Sequence, residues 1–67
     1  MFYQISLKAA RVNAGLTLKK ASTLLGVCEG TLIKWEKDPS LVSASYQNLI
    51  SKTYNYPIDG IIFLNEE

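Results

Sequence analysis

The most informative segment of the chain is residues 15–37, which read GLTLKKASTLLGVCEGTLIKWEK. Thr17 is a suitable cap for a helix over 18–25, because its side-chain oxygen can accept a hydrogen bond from a free backbone N–H. Gly26 fits the left-handed conformation that often follows a helix end. A further helix is predicted over 29–37. The segment therefore predicts two short helices joined by a tight turn, with Gly26 at the corner.

Three further helical elements are predicted outside this segment. Ser6 is a suitable cap for a helix over 7–14, and Ser43 for a helix that ends near Tyr54. The proline that opens 57–62 is suited to begin a short fifth helical turn. Because each helix is too short to be stable alone, packing between helices must hold them.

Apolar residues at helical spacing predict the core. The positions expected to face inward are Leu7, Ala10, Ala14, Leu18, Ala21, Leu24, Leu25, Leu32, Trp35, Tyr46, Leu49, Ile50 and Tyr54. The ends are β-prone instead, with Phe2, Tyr3 and Ile5 at one end and 61–64 at the other. They either pair as a small antiparallel ribbon or cover a second subunit. The predicted fold class is all-α, a compact five-helix domain, with a short β ribbon from the two termini left open.

Length and composition exclude several classes of protein. The 67 residues make one domain, 1–67, and 48% of them are hydrophobic. No run of about 18 apolar residues is present to span a membrane. With one cysteine and no histidine, the chain has no disulfide framework, no ordinary zinc site and no histidine-based catalysis. We therefore expect a cytoplasmic protein that is not an enzyme and that uses no cofactor, metal or small-molecule ligand.

Charge is unevenly distributed, although the net charge is only +1. Residues 1–28 contain basic residues and no acid, whereas 53–67 contain acidic residues and no base. This pattern predicts a basic end and an acidic end, unless the charges only solvate the surface.

Five motifs are spaced along most of the chain: LKAAR at 7–11, GLT at 15–17, LGV at 25–27, TLIKWE at 31–36 and YPIDGIIF at 56–63. In this order and spacing they resemble the Cro/repressor-type (Xre-like) helix–turn–helix family, over about residues 6–63. The resemblance implies a five-helix domain, usually dimeric, that controls transcription from palindromic operators; many members come from phages and mobile elements. The helix–turn–helix core is expected at about 17–37, with its second helix projecting toward a major groove.

That second helix is predicted to present one outward stripe, because positions 30, 33, 34 and 37 recur at helical spacing. By resemblance, Glu29, Gly30 and Lys34 match positions whose side chains reach base edges. Lys34 can donate to guanine, and Ile33 can contact a thymine methyl group. Glu29 can accept from the amino group of cytosine, while Gly30 permits close approach of the backbone. The alternative is an ordinary solvated helix face.

Contacts with DNA phosphates are expected at the start of the first helix of this core. Thr17 and Lys19 lie where backbone N–H groups and the helix dipole favour an anion, although Thr17 is equally explained as a cap. The family commonly has a phosphate-binding glutamine at the position of Leu18, a role that leucine cannot fill. The predicted DNA-binding residues are Thr17, Lys19, Glu29, Gly30, Thr31, Ile33, Lys34, Lys37 and Ser40.

Three other positions have specific expectations. By resemblance, Arg11 and Glu36 form a partly buried ion pair that joins the first helix to the end of the third. Cys28 replaces the usual serine or threonine cap and is either a redox-sensitive thiol or a small packing residue. Trp35 is expected in the core rather than as a platform for stacked bases.

Two functions remain open at this stage. The first is a sequence-specific regulator that binds double-stranded DNA as a homodimer through segment 54–64. Its expected dimerisation residues are Tyr54, Tyr56, Ile58, Ile61, Ile62 and Phe63. The second is a protein-interaction module, such as an antirepressor or an adaptor, that keeps the fold but has lost its DNA contacts. Leu18 and the near-neutral charge favour the second.

Overall fold

Four α-helices and two short 3₁₀ turns form the fold in a computed structural model that describes residues 4–63. The helices are α1 (Leu7–Asn13), α2 (Leu18–Leu25), α3 (Glu29–Lys37) and α4 (Ala44–Tyr54), and the 3₁₀ turns are Pro39–Leu41 and Ile58–Gly60. The predicted all-α fold is confirmed. No helix within 4–63 is both long and apolar enough to cross a membrane.

Local capping sets the helix bounds. Ser6 Oγ accepts a hydrogen bond from Ala9 N at 3.0 Å, and Thr17 Oγ1 accepts one from Lys20 N at 3.1 Å. The helix α2 ends at Gly26, whose φ of +73° is the left-handed conformation expected there. The predicted bounds of α2 and α3 are therefore confirmed.

One hydrophobic core joins the helices. Its buried members are Leu7, Ala10, Ala21, Leu25, Leu32, Trp35, Val42, Ile50, Tyr54 and Ile61. Trp35 packs against Tyr46, with ring centroids 5.0 Å apart and an interplanar angle of 55°. The prediction that Trp35 belongs to the core is confirmed.

Two predicted core positions are wrong. Leu24 is 53% exposed and Leu49 is also exposed. On α2 the buried side chains are Ala21, Ser22 and Leu25, and Leu24 lies just beyond the edge of that buried face. On α4 the buried positions are Ile50 and Tyr54, one turn apart, which leaves Leu49 at the edge of the core. The small side chains of α2 suit close packing, because they let neighbouring helices approach.

The predicted fifth helix is only a 3₁₀ turn. Pro57 precedes the turn with extended backbone, and Ile61 follows it with φ −106° and ψ 130°, again extended. A helix cannot continue to Ile62, because the backbone after Gly60 pairs with the start of the chain instead. The count is therefore four α-helices within the described residues rather than five.

The ends of the described chain pair in parallel, so the predicted antiparallel ribbon is wrong. One isolated bridge joins Ile5 to Ile61. Ile5 N donates to Gly60 O at 2.8 Å, and Ile62 N donates to Ile5 O at 2.9 Å. The intervening helices act as a crossover connection, which returns the chain in the same direction. Phe2, Tyr3 and Leu64, also expected in the ribbon, lie outside the described residues.

Candidate nucleic-acid interface

The helix α3 has one buried side and one exposed side. Leu32 and Trp35 are buried, three residues apart, and anchor the helix to the core. The exposed side carries Glu29, Gly30, Ile33, Lys34 and Lys37. Ile33 is 40% exposed and is one of five large apolar side chains that are exposed within residues 4–63. The protein itself therefore leaves this stripe of α3 open to a partner.

The turn between α2 and α3 holds this helix in position. Val27 N donates to Ser22 O at 3.0 Å and Gly26 N donates to Thr23 O at 3.2 Å, which closes the end of α2. Ser22 is buried, and its hydroxyl donates to Lys19 O at 2.9 Å. A small buried residue with a satisfied hydroxyl allows α3 to cross close to α2.

An ion pair fixes α3 against α1. Arg11 Nε donates to Glu36 Oε2 at 2.7 Å, and both side chains are about nine-tenths buried. Arg11 Nη1 also donates to Leu16 O at 2.8 Å, just before α2 begins. One guanidinium therefore ties three parts of the chain together, and the pair has the partners that the sequence analysis expected.

A shallow groove runs between these three helices. Its lining residues are Lys8, Arg11, Leu18, Ile33, Glu36 and Lys37. Two expected DNA-binding residues, Ile33 and Lys37, thus share this groove with Lys8, which was not among the expected residues. The available signal was its spacing, because Lys8 stands one turn before Arg11 on the same side of α1.

The other expected phosphate contacts lie apart from this groove. Thr17 and Lys19 are exposed and line a second groove on α2, together with Lys20, Thr23 and Leu24. Ser40 is exposed, but its hydroxyl donates to Asp38 Oδ1 at 2.6 Å, so its proton is already used within the chain. A phosphate at Ser40 would have to replace that carboxylate.

The thiol of Cys28 is exposed at the start of α3, so the expectation of a packing residue is wrong. It makes no capping hydrogen bond. Its sulfur lies 3.1 Å from Oγ1 of Thr31, which is itself half-buried. The hydrogen bonds from Thr31 lower the pKa of the Cys28 thiol below its usual value.

Two of the residues expected in a dimer interface belong to the core of the chain itself. Tyr54 is 2% exposed and Ile61 is 4% exposed, so neither side chain is available to a partner. Their burial is explained by α4 packing over α1 and by the bridge to Ile5. Tyr56, Ile58, Ile62 and Phe63 are half-buried.

Burial also perturbs the Tyr54 hydroxyl. Within residues 4–63 this hydroxyl has no hydrogen-bond partner. Burial, with a smaller contribution from the nearby Glu36 carboxylate, raises the pKa of Tyr54 to about 12, whereas Arg11 acts in the opposite direction. The phenol is therefore neutral in the folded protein across the physiological pH range.

A projecting helix anchored by Leu32 and Trp35, preceded by a glycine-cornered turn, defines a helix–turn–helix protein. A family model described as helix-turn-helix matches residues 7–61, which is more than half of the chain. The chain therefore belongs to the Xre-like helix–turn–helix family, a family of DNA-binding regulators. No curated protein and no solved structure matched it.

Proposed function

We propose that this chain is a sequence-specific regulator of transcription, acting in the cytoplasm as a repressor that binds a palindromic operator as a homodimer. The observation that carries the proposal is the exposed stripe of α3, in which Lys34 and Lys37 are open to solvent while Leu32 and Trp35 anchor the helix from behind. A helix held in this way fits a major groove.

Base recognition in this proposal comes from the start and middle of α3. Lys34 donates to the O6 and N7 acceptors of guanine, and Ile33 contacts a thymine methyl group. Glu29 accepts from the amino group of cytosine. Gly30 has no heavy atom within 4 Å of where a Cβ would stand, so the DNA backbone or a base edge can approach there.

Phosphate contacts would set the register of α3 on the duplex. The proposed contributors are Thr17, Lys19, Thr31, Lys37 and Ser40. Thr17 already accepts a hydrogen bond from Lys20 N as the cap of α2, so its contribution comes from the helix end rather than from its hydroxyl alone. Such contacts position the protein and carry no sequence information.

Dimerisation would supply the specificity that one recognition helix lacks. Two copies place their α3 helices about 34 Å apart, one turn of the duplex. The proposed interface uses the half-buried part of the C-terminal segment: Tyr56, Ile58, Ile62 and Phe63. A symmetric protein of this kind reads a palindrome, because each half-site meets the same side chains.

Selection of bound sequences from a random duplex pool tests the proposal. A palindromic consensus with half-sites one helical turn apart is expected. Lys34→Ala should relax the base preference at one position of each half-site, whereas Lys52→Ala, on α4, should leave the consensus unchanged. Recovery of random sequence with the wild-type protein would refute sequence-specific binding.

A second candidate function rests on the apolar character of the exposed surface. Ile33 is 40% exposed and Leu24 is 53% exposed, and Leu18 offers no hydrogen-bond donor to a phosphate. These features suit a protein-interaction module, such as an antirepressor or an adaptor, that has kept the fold. Absence of any binding to random duplex DNA at about 50 mM salt would favour this candidate.

A further inference from the structure

We infer that Lys8 is a DNA-positioning residue, which together with Lys37 holds one sugar–phosphate segment of double-stranded DNA across the groove between α1 and α3. The inference rests on the proposed function and deepens it by naming a phosphate contact outside the helix–turn–helix core. The groove is lined by side chains of α1, α2 and α3.

The position of Lys8 follows from the ion pair behind it. Lys8 and Arg11 are three residues apart on α1 and therefore share one side of the helix. Because Arg11 Nε donates to Glu36 Oε2 at 2.7 Å, that side of α1 faces the C-terminal half of α3. Lys37 follows Glu36 directly, so one lysine from each helix borders the same groove.

The charges around the groove favour an anion. The charge of Arg11 is neutralised by Glu36, whereas neither Lys8 nor Lys37 takes part in an ion pair within residues 4–63. Both lysines are exposed, and each Nζ has three donors available. The groove therefore keeps two positive charges without a carboxylate to balance them.

Part of the groove lining is apolar and suits a sugar. Leu18 and Ile33 line the groove together with the two lysines, and neither side chain has a donor or an acceptor. Leu18 is half-buried against the core, so this surface is fixed rather than adaptable. A deoxyribose face on the leucine and isoleucine, with a phosphate at each lysine, matches this arrangement.

Continuity with α3 identifies the occupant as DNA rather than an acidic peptide. Ile33 and Lys37 belong both to the groove and to the exposed stripe that carries Lys34. A duplex whose major groove receives α3 must pass one strand of its backbone along the edge of that helix. Lys8, on α1, lines the same groove as Lys37, on α3.

The test is the salt dependence of binding to a random-sequence duplex of about 30 base pairs, long enough for two half-sites. Lys8→Ala should lower affinity roughly threefold to tenfold, and the slope of log K against log salt should become less steep by about 1.8, because the dimer loses one phosphate contact from each protomer. Lys8→Arg should restore the wild-type slope, because it keeps the charge. Lys52→Ala is the matched control on α4 and should change neither quantity.

The outcomes separate this inference from the proposed function. If Lys34→Ala weakens binding but Lys8→Ala keeps the wild-type affinity and slope, the inference is overturned and the proposed function stands. If the wild-type protein binds no duplex at about 50 mM salt, both are overturned, and the groove is left to an acidic protein partner. Unchanged circular dichroism and melting temperature of Lys8→Ala show that the loss is not an effect on folding.

Discussion

Arg11 and Glu36 meet across the interior of the protein, with Arg11 Nε 2.7 Å from Glu36 Oε2 and a second guanidinium nitrogen bonded to Leu16 O. This single contact orients α3 relative to α1. It fixes geometry more than it adds stability, since a buried pair must repay the free energy of removing both charges from water.

Removal of Arg11 should therefore damage the fold far more than removal of Lys8 from the same helix. Arg11→Ala leaves Glu36 buried and unpaired, and we expect a loss of about 3 kcal/mol in the free energy of unfolding. Lys8→Ala, at an exposed site, should change it by less than about 0.5 kcal/mol. Thermal and urea unfolding of the two variants measures the difference, and equal melting temperatures would contradict the prediction.

The corner between α2 and α3 should depend on glycine for its backbone conformation and not for space. No heavy atom lies within 4 Å of a Cβ built at Gly26, but its φ is +73°. Gly26→Ala should therefore cost about 1 kcal/mol of stability. Gly30→Ala is the control, because Gly30 is helical and equally open, and alanine there should stabilise by about 0.5 kcal/mol. Urea midpoints test both, and a destabilised Gly30→Ala would show that the space around Gly30 is too tight for a methyl group.

Lys34 and Lys37 should contribute differently to DNA binding. Lys34→Ala is expected to cost about 1–3 kcal/mol on the preferred sequence and to relax the choice of one base pair. Lys37→Ala should weaken binding about equally on all sequences, because its proposed contact is with the DNA backbone. Competition between a selected duplex and a random duplex measures both, and unchanged affinity in both variants would show that α3 is not the DNA-binding face.

The buried hydroxyl of Tyr54 should be dispensable for the fold. Because it has no hydrogen-bond partner among the described residues, Tyr54→Phe should be neutral or stabilising by about 1 kcal/mol. Tyr54→Ala should instead cost about 3–5 kcal/mol, since it empties part of the core. Urea unfolding separates the two cases. A large loss of unfolding free energy in Tyr54→Phe would reveal a hydrogen-bond partner for the hydroxyl.

The same hydroxyl should give stability a dependence on alkaline pH. Its pKa is raised from 10.0 to about 12 in the folded protein, so the unfolded chain ionises first as the pH rises. The stability linked to Tyr54 is fully present below pH 10 and is lost between pH 10 and about 12. Tyr54→Phe should lack this part of the decline, and identical pH profiles for the two proteins would rule the effect out.

Two substitutions in the C-terminal segment should affect dimerisation and folding stability separately. Ile62→Asp, at a half-buried position, is expected to abolish the proposed dimer while the monomer stays folded. Ile61→Ala, at a buried position, should instead lower the free energy of unfolding by about 2–5 kcal/mol. Sedimentation equilibrium and melting curves distinguish the two effects. A dimer that persists in Ile62→Asp would place the interface elsewhere.

Local chemistry explains why much of the fold was predictable from the sequence. Thr17 and Gly26 each fix a helix end through bonds within a few residues, so the bounds of α2 could be read directly. The exposure of Leu24, by contrast, could not be predicted from local sequence. Apolar residues lie on more than one side of α2, and only the packing of its neighbours decides which side is buried.

The candidate site was less predictable because tertiary contacts assemble part of it. The stripe on α3 follows from helical spacing, but the approach of Lys8 to Lys37 depends on the ion pair between α1 and α3. The parallel pairing of Ile5 with Ile61 likewise depends on the path of every element between them, which no local pattern specifies.

The bridge between Ile5 and Ile61 also bears on how the protein opens. It joins the first described residues to the last through two backbone hydrogen bonds, so the whole helical assembly lies inside one closed loop. The amide protons of Ile5 and Ile62 exchange with solvent only when that loop is released. Their exchange rates therefore report whether the ends detach alone or only when the entire molecule unfolds.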